Sequence, residues 1–243
     1  MAGMRGLFIT GTDTGVGKTS VLTALLCALR RAGHDAVPMK PVQTGCRRGR
    51  AGLTPPDLAY ALASAELSPD AEEMRRMCPY RFKPACSPHL AAAQAGQTIR
   101  LSTILHAFHH LAAAHEIVLV EGAGGILVPL NPRQTMLDLM KALALPVVVA
   151  ARPGLGTLNH TLLTLRALRQ QELRVLGVVL VSTRPGRWRA IEQSNLETIR
   201  RMGKVPVHRM AHRREQPGGR FSAKAIQDAN AWIEAWRRAT SWA

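Results

Sequence analysis

Ten residues near the start, Gly11-Thr12-Asp13-Thr14-Gly15-Val16-Gly17-Lys18-Thr19-Ser20, constrain the fold more than any other stretch. They follow a short aliphatic run at 7–10 and open an amphipathic pattern at 18–31, so they read as a glycine-rich strand-to-helix turn. Such a turn lets backbone N–H groups converge on phosphate oxygens, and the helix N-terminus adds partial positive charge. Gly15, Val16, Gly17, Lys18, Thr19 and Ser20 are therefore the candidate triphosphate cradle. Within it Lys18 is expected to neutralise the β and γ oxygens, and the Thr19 hydroxyl to join Mg²⁺. The common pattern GxxxxGK-S/T asks for glycine at position 12, where this chain has threonine. Counted from Gly11, the loop is one residue longer.

Beyond this turn, short aliphatic runs recur at 36–39, 117–120, 146–151, 175–181 and 205–207. Continuous apolar runs such as Ile117-Val118-Leu119-Val120 fit strands covered on both faces. Helical patterns fill the gaps, with Val21, Leu22, Leu25, Leu26 and Leu29 on one face of 18–31 and Leu158, Leu162, Leu165 and Leu168 on one face of 158–170. This alternation predicts an α/β fold: a doubly wound, mostly parallel sheet with helices on both faces. At 243 residues, with no internal repeat or interdomain linker, the chain reads as one domain over 1–243. The stretches 45–56 and 212–220 read as its longest loops.

Composition narrows the classes. No apolar run approaches the roughly 18 residues of a membrane span, and the first residues carry no signal-peptide pattern. The cysteines at 27, 46, 78 and 86 have no paired metal spacing, so a reduced, cytoplasmic protein is expected. Charge is the outlier: 32 basic against 16 acidic residues give +16. A basic surface points to polyanions. Here the arginines come singly or in pairs, without aromatic interleaving or zinc-finger spacing, so nucleic acid is not the expected partner.

Several further residues carry chemistry. Glu121 ends an apolar strand and precedes Gly122-Ala123-Gly124-Gly125. At the carboxyl end of a parallel strand it should face the phosphate loop, where a cation offsets the cost of burial. Lys40, in Lys40-Pro41-Val42-Gln43-Thr44-Gly45, places a cation at the end of the second strand. Asp57 reads from its own neighbours as the N-cap of a helix over 58–65. Ser87-Pro88-His89 reads as N-cap and N1 proline, with His89 a structural histidine. In Pro153-Gly154-Leu155-Gly156-Thr157-Leu158-Asn159-His160, free N–H groups either hold a carboxylate or merely start the next helix. Trp232 and Trp236, at i,i+4, read as packing residues of a terminal helix.

Taken together, GTDTGVGKT, KPVQTG, Asp57, SPH, VEGAGG and GLGTLNH, in that order over roughly 7–206, resemble the ATP-dependent dethiobiotin synthetases. The resemblance implies that 7,8-diaminononanoate takes up CO₂ on one amine as a carbamate. ATP phosphorylates the carbamate, and the second amine closes a cyclic urea with release of phosphate. It implies Lys18, Lys40 and Thr14 as catalytic, and Thr14, Lys40, Thr44, Gly156, Thr157 and Asn159 as substrate contacts. The last three would act across the interface of a homodimer. Thr19, Asp57 and Glu121 become the Mg²⁺ ligands, so that Asp57 changes from cap to ligand. Gly122, Ala123 and Gly124 line the nucleotide site, and Val181, Ser182, Pro206, Val207 and His208 match positions of the base pocket. Val181 stands where the family often carries an adenine-reading asparagine, so all four ribonucleoside triphosphates are expected to support turnover.

The competing expectation is a partition or septum-site type switch ATPase acting on DNA or membrane. Such proteins carry a lysine near the start of the loop, where this chain has Asp13 and Thr14, and they have no need of KPVQTG.

Overall fold

The computed structural model describes residues 6–49, 52–211 and 222–240. The chain starts with β1 (Gly6–Gly11), α1 (Lys18–Arg31), β2 (Ala36–Met39), β3 (Val42–Gln43), β4 (Arg47–Gly49) and β5 (Gly52–Thr54). It continues through α2 (Pro56–Ser64), α3 (Ala71–Met77), β6 (Tyr80–Arg81), α4 (Pro88–Gln94), α5 (Leu101–Ala114) and β7 (Ile117–Glu121). Then follow β8 (Pro129–Asn131), β9 (Gln134–Thr135), α6 (Met136–Leu143), β10 (Val147–Ala151) and α7 (Thr157–Gln170). The last elements are β11 (Val175–Val181), α8 (Ala190–Gly203), β12 (Val207–Met210) and α9 (Ala223–Thr240).

Six strands form one parallel sheet in the order β12-β11-β10-β1-β7-β2. Their aliphatic runs are buried on both sides because successive side chains alternate between two cores. Phe8, Val118, Val120, Val147 and Val149 join Phe108 of α5, Leu139 of α6, Leu168 of α7 and Ile199 of α8 on one face. Leu7, Ile9, Leu119, Val148 and Val179 join Leu25 of α1 and Ile226, Trp232 and Trp236 of α9 on the other. The sheet is therefore doubly wound, as the alternation predicted. From β1 the chain runs outward to β2 and later returns on the other side through β10, so the strand order reverses beside the phosphate loop. In an open parallel sheet a ligand crevice forms at that point.

Four local expectations need correction. The last strand begins at Val207 and runs to Met210, two residues later than the 205–207 run indicated. The apolar pattern was too short there to fix register. The 45–56 loop contains the antiparallel pair β4 and β5, joined through Arg47–Thr54 and Gly49–Gly52. Helix α2 starts at Pro56 with Pro55 as its N-cap, so Asp57 lies inside the first turn and is no cap. His89 is exposed, so the structural-histidine reading has no burial behind it. The stretch 212–220 lies outside the described residues.

Candidate active site

The phosphate loop fills the step from β1 to α1. Thr12 N–H donates to the Ala150 carbonyl at 3.1 Å, which ties the loop to β10. Gly17 is the N-cap of α1 with φ 97°, a left-handed conformation that disfavours any side chain. Space forbids one as well: a Cβ there would lie 2.7 Å from a Val181 methyl. On the far side Gly122 N–H donates to the Ile9 carbonyl at 3.0 Å, which brings the glycine turn after β7 alongside β1.

These ties converge the charged side chains on one cleft of about 990 Å³. Lys40 is buried, and its ammonium sits 2.6 Å from Glu121 Oε1 and 2.8 Å from Asp57 Oδ2. Thr19 Oγ1 donates to the same Glu121 oxygen at 2.9 Å. Gln43 Nε2 donates to the same Asp57 oxygen, Oδ2, at 3.1 Å and helps fix the carboxylate. Lys18 is also buried, and its ammonium donates to the Asp13 carbonyl at 2.8 Å, folded back over its own loop.

The charge states follow from these contacts. Burial disfavours the Lys40 ammonium, but the Glu121 and Asp57 carboxylates overcome it and push its pKa up to about 12. Among the described residues Lys18 has no carboxylate at contact distance, and burial, with Lys40 nearby, lowers its pKa to about 8. Burial would raise Asp57, yet the Lys40 ammonium beside it holds the carboxyl below its usual range. The cleft therefore joins an ionised acid, a fixed cation and a lysine whose pKa is lowered to about 8. Thr19, Asp57 and Glu121 supply only oxygen donors within it, a set chemically suited to a hard divalent cation.

Most of the residues expected at the site line this cleft: Thr14, Gly15, Gly17, Lys18, Thr19, Ser20, Lys40, Thr44, Asp57, Glu121, Ala123 and Gly124. Val16 is buried beneath the loop, with a methyl 2.7 Å from where a Gly11 Cβ would stand. Gly122 faces Phe8.

The residues expected at the nucleotide base lie outside this cleft. Val181 is buried, with its methyls on Gly17. Ser182 Oγ donates to the Arg184 carbonyl at 2.9 Å. Pro206, Val207 and His208 do not line the cleft, because β12 only begins at Val207 and its carboxyl end is Met210. His208 instead packs its ring against Trp232 and Trp236, at centroid distances of 5.9 and 5.7 Å. Gly156, Thr157 and Asn159 also lie off this cleft, at the start of α7. Gly156 is its left-handed N-cap, and Thr157 Oγ1 lies 3.2 Å from Thr161 Oγ1.

The cleft also contains residues the sequence reading did not assign. Arg47, at the start of β4, reaches it, as do Gln43, Tyr60, Cys86, Ser87 and Pro88. Gln43 and Ser87-Pro88 were in view inside KPVQTG and SPH, and Arg47 in the arginine-rich stretch after Thr44.

Comparison with known proteins now decides the family. A family described as "AAA domain" matches residues 5–210. An ATP-dependent dethiobiotin synthetase of Anaeromyxobacter sp. (strain Fw109-5) is 45% identical over 212 residues, 87% of this chain and 92% of that protein. The chain belongs to the ATP-dependent dethiobiotin synthetase family. A second synthetase, from Anaeromyxobacter dehalogenans (strain 2CP-1 / ATCC BAA-258), is 50% identical over 182 residues, covering 75% of this chain and 78% of its own. A Lysinibacillus sphaericus synthetase is 39% identical over 206 residues, 84% of this chain and 85% of that protein.

Among solved structures, the MinD cell division protein of Aquifex aeolicus has TM-score 0.58 at 13% identity, covering 95% of this chain and 97% of its own. A cobyrinic acid a,c-diamide synthase from Mycobacterium smegmatis has TM-score 0.56 at 16% identity, covering 97% and 96%. At such identities these show only the fold that the synthetase family shares with them.

Proposed function

We propose that this chain is an ATP-dependent dethiobiotin synthetase that carboxylates 7,8-diaminononanoate and closes the ureido ring. The observation that carries this reading is the Lys40 ammonium, held between Asp57 and Glu121 in the same cleft as the phosphate loop. That arrangement suits a reaction in which every intermediate is anionic.

The chemistry begins with one substrate amine adding to CO₂ and losing a proton, which leaves a carbamate. A carbamate oxygen attacks the γ-phosphorus of ATP, ADP departs, and a carbamic–phosphoric anhydride forms. The second amine attacks its carbonyl carbon, the C–O bond to phosphate breaks, and the cyclic urea is released. Lys18 and Lys40 flank the transferring phosphoryl group, where fixed cations lower the energy of the charge that develops. To reach it Lys18 gives up its bond to the Asp13 carbonyl. Thr14 and Thr44 border the same cleft and offer hydroxyls to the carbamate and the diamine. Thr19, Asp57 and Glu121 would hold Mg²⁺, which neutralises triphosphate charge when bound. By the family resemblance, the backbone of Gly156, Thr157 and Asn159, which lies off the cleft of its own chain, is assigned to the substrate carboxylate across the interface of a homodimer.

Val181 has no amide to read a base, and its methyls are spent on Gly17. CTP, GTP and UTP are therefore expected to work with kcat/KM within about two orders of magnitude of ATP, measured by competition. The reading as a whole is tested with purified protein, Mg-ATP, the diamine and bicarbonate. Dethiobiotin should appear with stoichiometric ADP. ATP hydrolysis that ignores the diamine and responds to DNA or lipid would replace this reading with that of a switch ATPase.

A further inference from the structure

On α5, away from the cleft, His106 and His110 stand four residues apart and therefore one above the other. Both are exposed, and their Nε2 atoms face each other at 3.0 Å. Their rings meet edge-on, with centroids 4.4 Å apart and planes at 72°. Two imidazole nitrogens bound to one transition-metal ion at about 2.0–2.1 Å, with a bond angle between 90° and tetrahedral, lie about 2.9–3.4 Å apart. The observed spacing falls inside that range with no movement of the helix. We propose that His106 and His110 form a bidentate surface site for a borderline divalent transition metal such as Ni²⁺, Cu²⁺ or Zn²⁺.

The surroundings fit the assignment. The helix contains no charged residue between Leu101 and Ala114, so no lysine or arginine of its own repels the ion or covers the rings. In the metal-free state one ring donates to the other, which needs only a single shared proton. The ion replaces that proton and takes up both lone pairs, while water fills the remaining positions. Mg²⁺ is not a competitor, because it prefers oxygen donors. Affinity should follow Cu²⁺ above Ni²⁺ and Zn²⁺. The pair lies on the outer face of α5 and touches no residue of the cleft, so the site is independent of the synthetase chemistry.

The test is calorimetric titration of the untagged full chain with NiCl₂ in excess Mg²⁺, with histidine-ring NMR in parallel. One Ni²⁺ should bind per chain at this helix, with paramagnetic broadening of the His106 and His110 ring signals. H106Q and H110Q should each weaken that binding by about tenfold or more, while H109Q, on the neighbouring exposed position, should leave it unchanged. All three variants should keep the dethiobiotin-forming activity of the parent, which verifies their fold. Failure of the parent to broaden those two signals, or Ni²⁺ binding by H106Q and H110Q equal to the parent, would overturn the site.

Discussion

Lys40 holds two carboxylates in the cleft and is expected to face a phosphoryl group during turnover. Removing it should therefore injure both stability and rate, in separable ways. In Lys40→Met the buried Glu121 loses its partner, which costs about 3 kcal/mol, or roughly 6–12 °C in Tm for a chain of this size. The double variant Lys40→Met with Glu121→Gln should recover most of that Tm by removing the orphaned charge. Its kcat should stay about 10² or more below the parent, because the transition-state cation is still missing. Recovery of kcat along with Tm would make Lys40 purely structural.

Lys18 supports a different measurement. With its pKa near 8 in the free chain, against an ordinary 10.5, it is partly neutral just above neutrality. A bound triphosphate favours the ammonium, so ATP binding between those two pH values should take up a proton, and affinity should fall as pH rises through about 8. Calorimetry of ATP binding in buffers of different ionisation heat would detect the proton; heats independent of buffer would place Lys18 outside the phosphate site. Both lysines were legible from sequence, Lys18 in the phosphate loop and Lys40 at a strand end, but the pairing of Lys40 with Asp57 and Glu121 was not. Asp57 looked like a cap because a local reading sees only its own helix, while its partner Lys40 arrives from the end of β2.

Among the elements, α9 is the least expected contributor. The sequence showed Trp232 and Trp236 on one helical face and nothing about what that face meets. The structure lays it across β11 and β12, where both indoles pack on His208. Burial lowers that imidazole to about 4, below its ordinary 6.5. Between those values the unfolded chain binds more protons than the folded one, so stability should fall as pH drops from 6.5 towards 4. His208→Phe should flatten that part of the curve, with tryptophan fluorescence reporting the release of α9. An unchanged acid slope would put the protons elsewhere. The long parallel strands were legible almost to the residue, since hydrophobic runs covered on both faces leave little choice of register. The short β12 was displaced by two residues, and the β4–β5 pair was missed because its strands, Arg47–Gly49 and Gly52–Thr54, carry hardly any apolar signal.

For the whole molecule, the doubly wound architecture could be read from alternation alone, and the cleft from motifs at the carboxyl ends of strands. Neither could be read from the charge of +16. Charge bears on solubility and encounter with polyanions, and is largely indifferent to topology. Since an internal ammonium already compensates Asp57 and Glu121, the resting protein does not rely on an imported cation for its integrity. Dialysis against a chelator should leave the melting temperature where it was. Adding Mg-ATP at about 100 times its Kd should raise stability by about 2.7 kcal/mol. A large loss of stability on chelation would mean that Lys40 does not fill this role alone. A metal that takes Asp57 and Glu121 as ligands would therefore have to displace the Lys40 ammonium from them rather than enter an uncompensated acidic site.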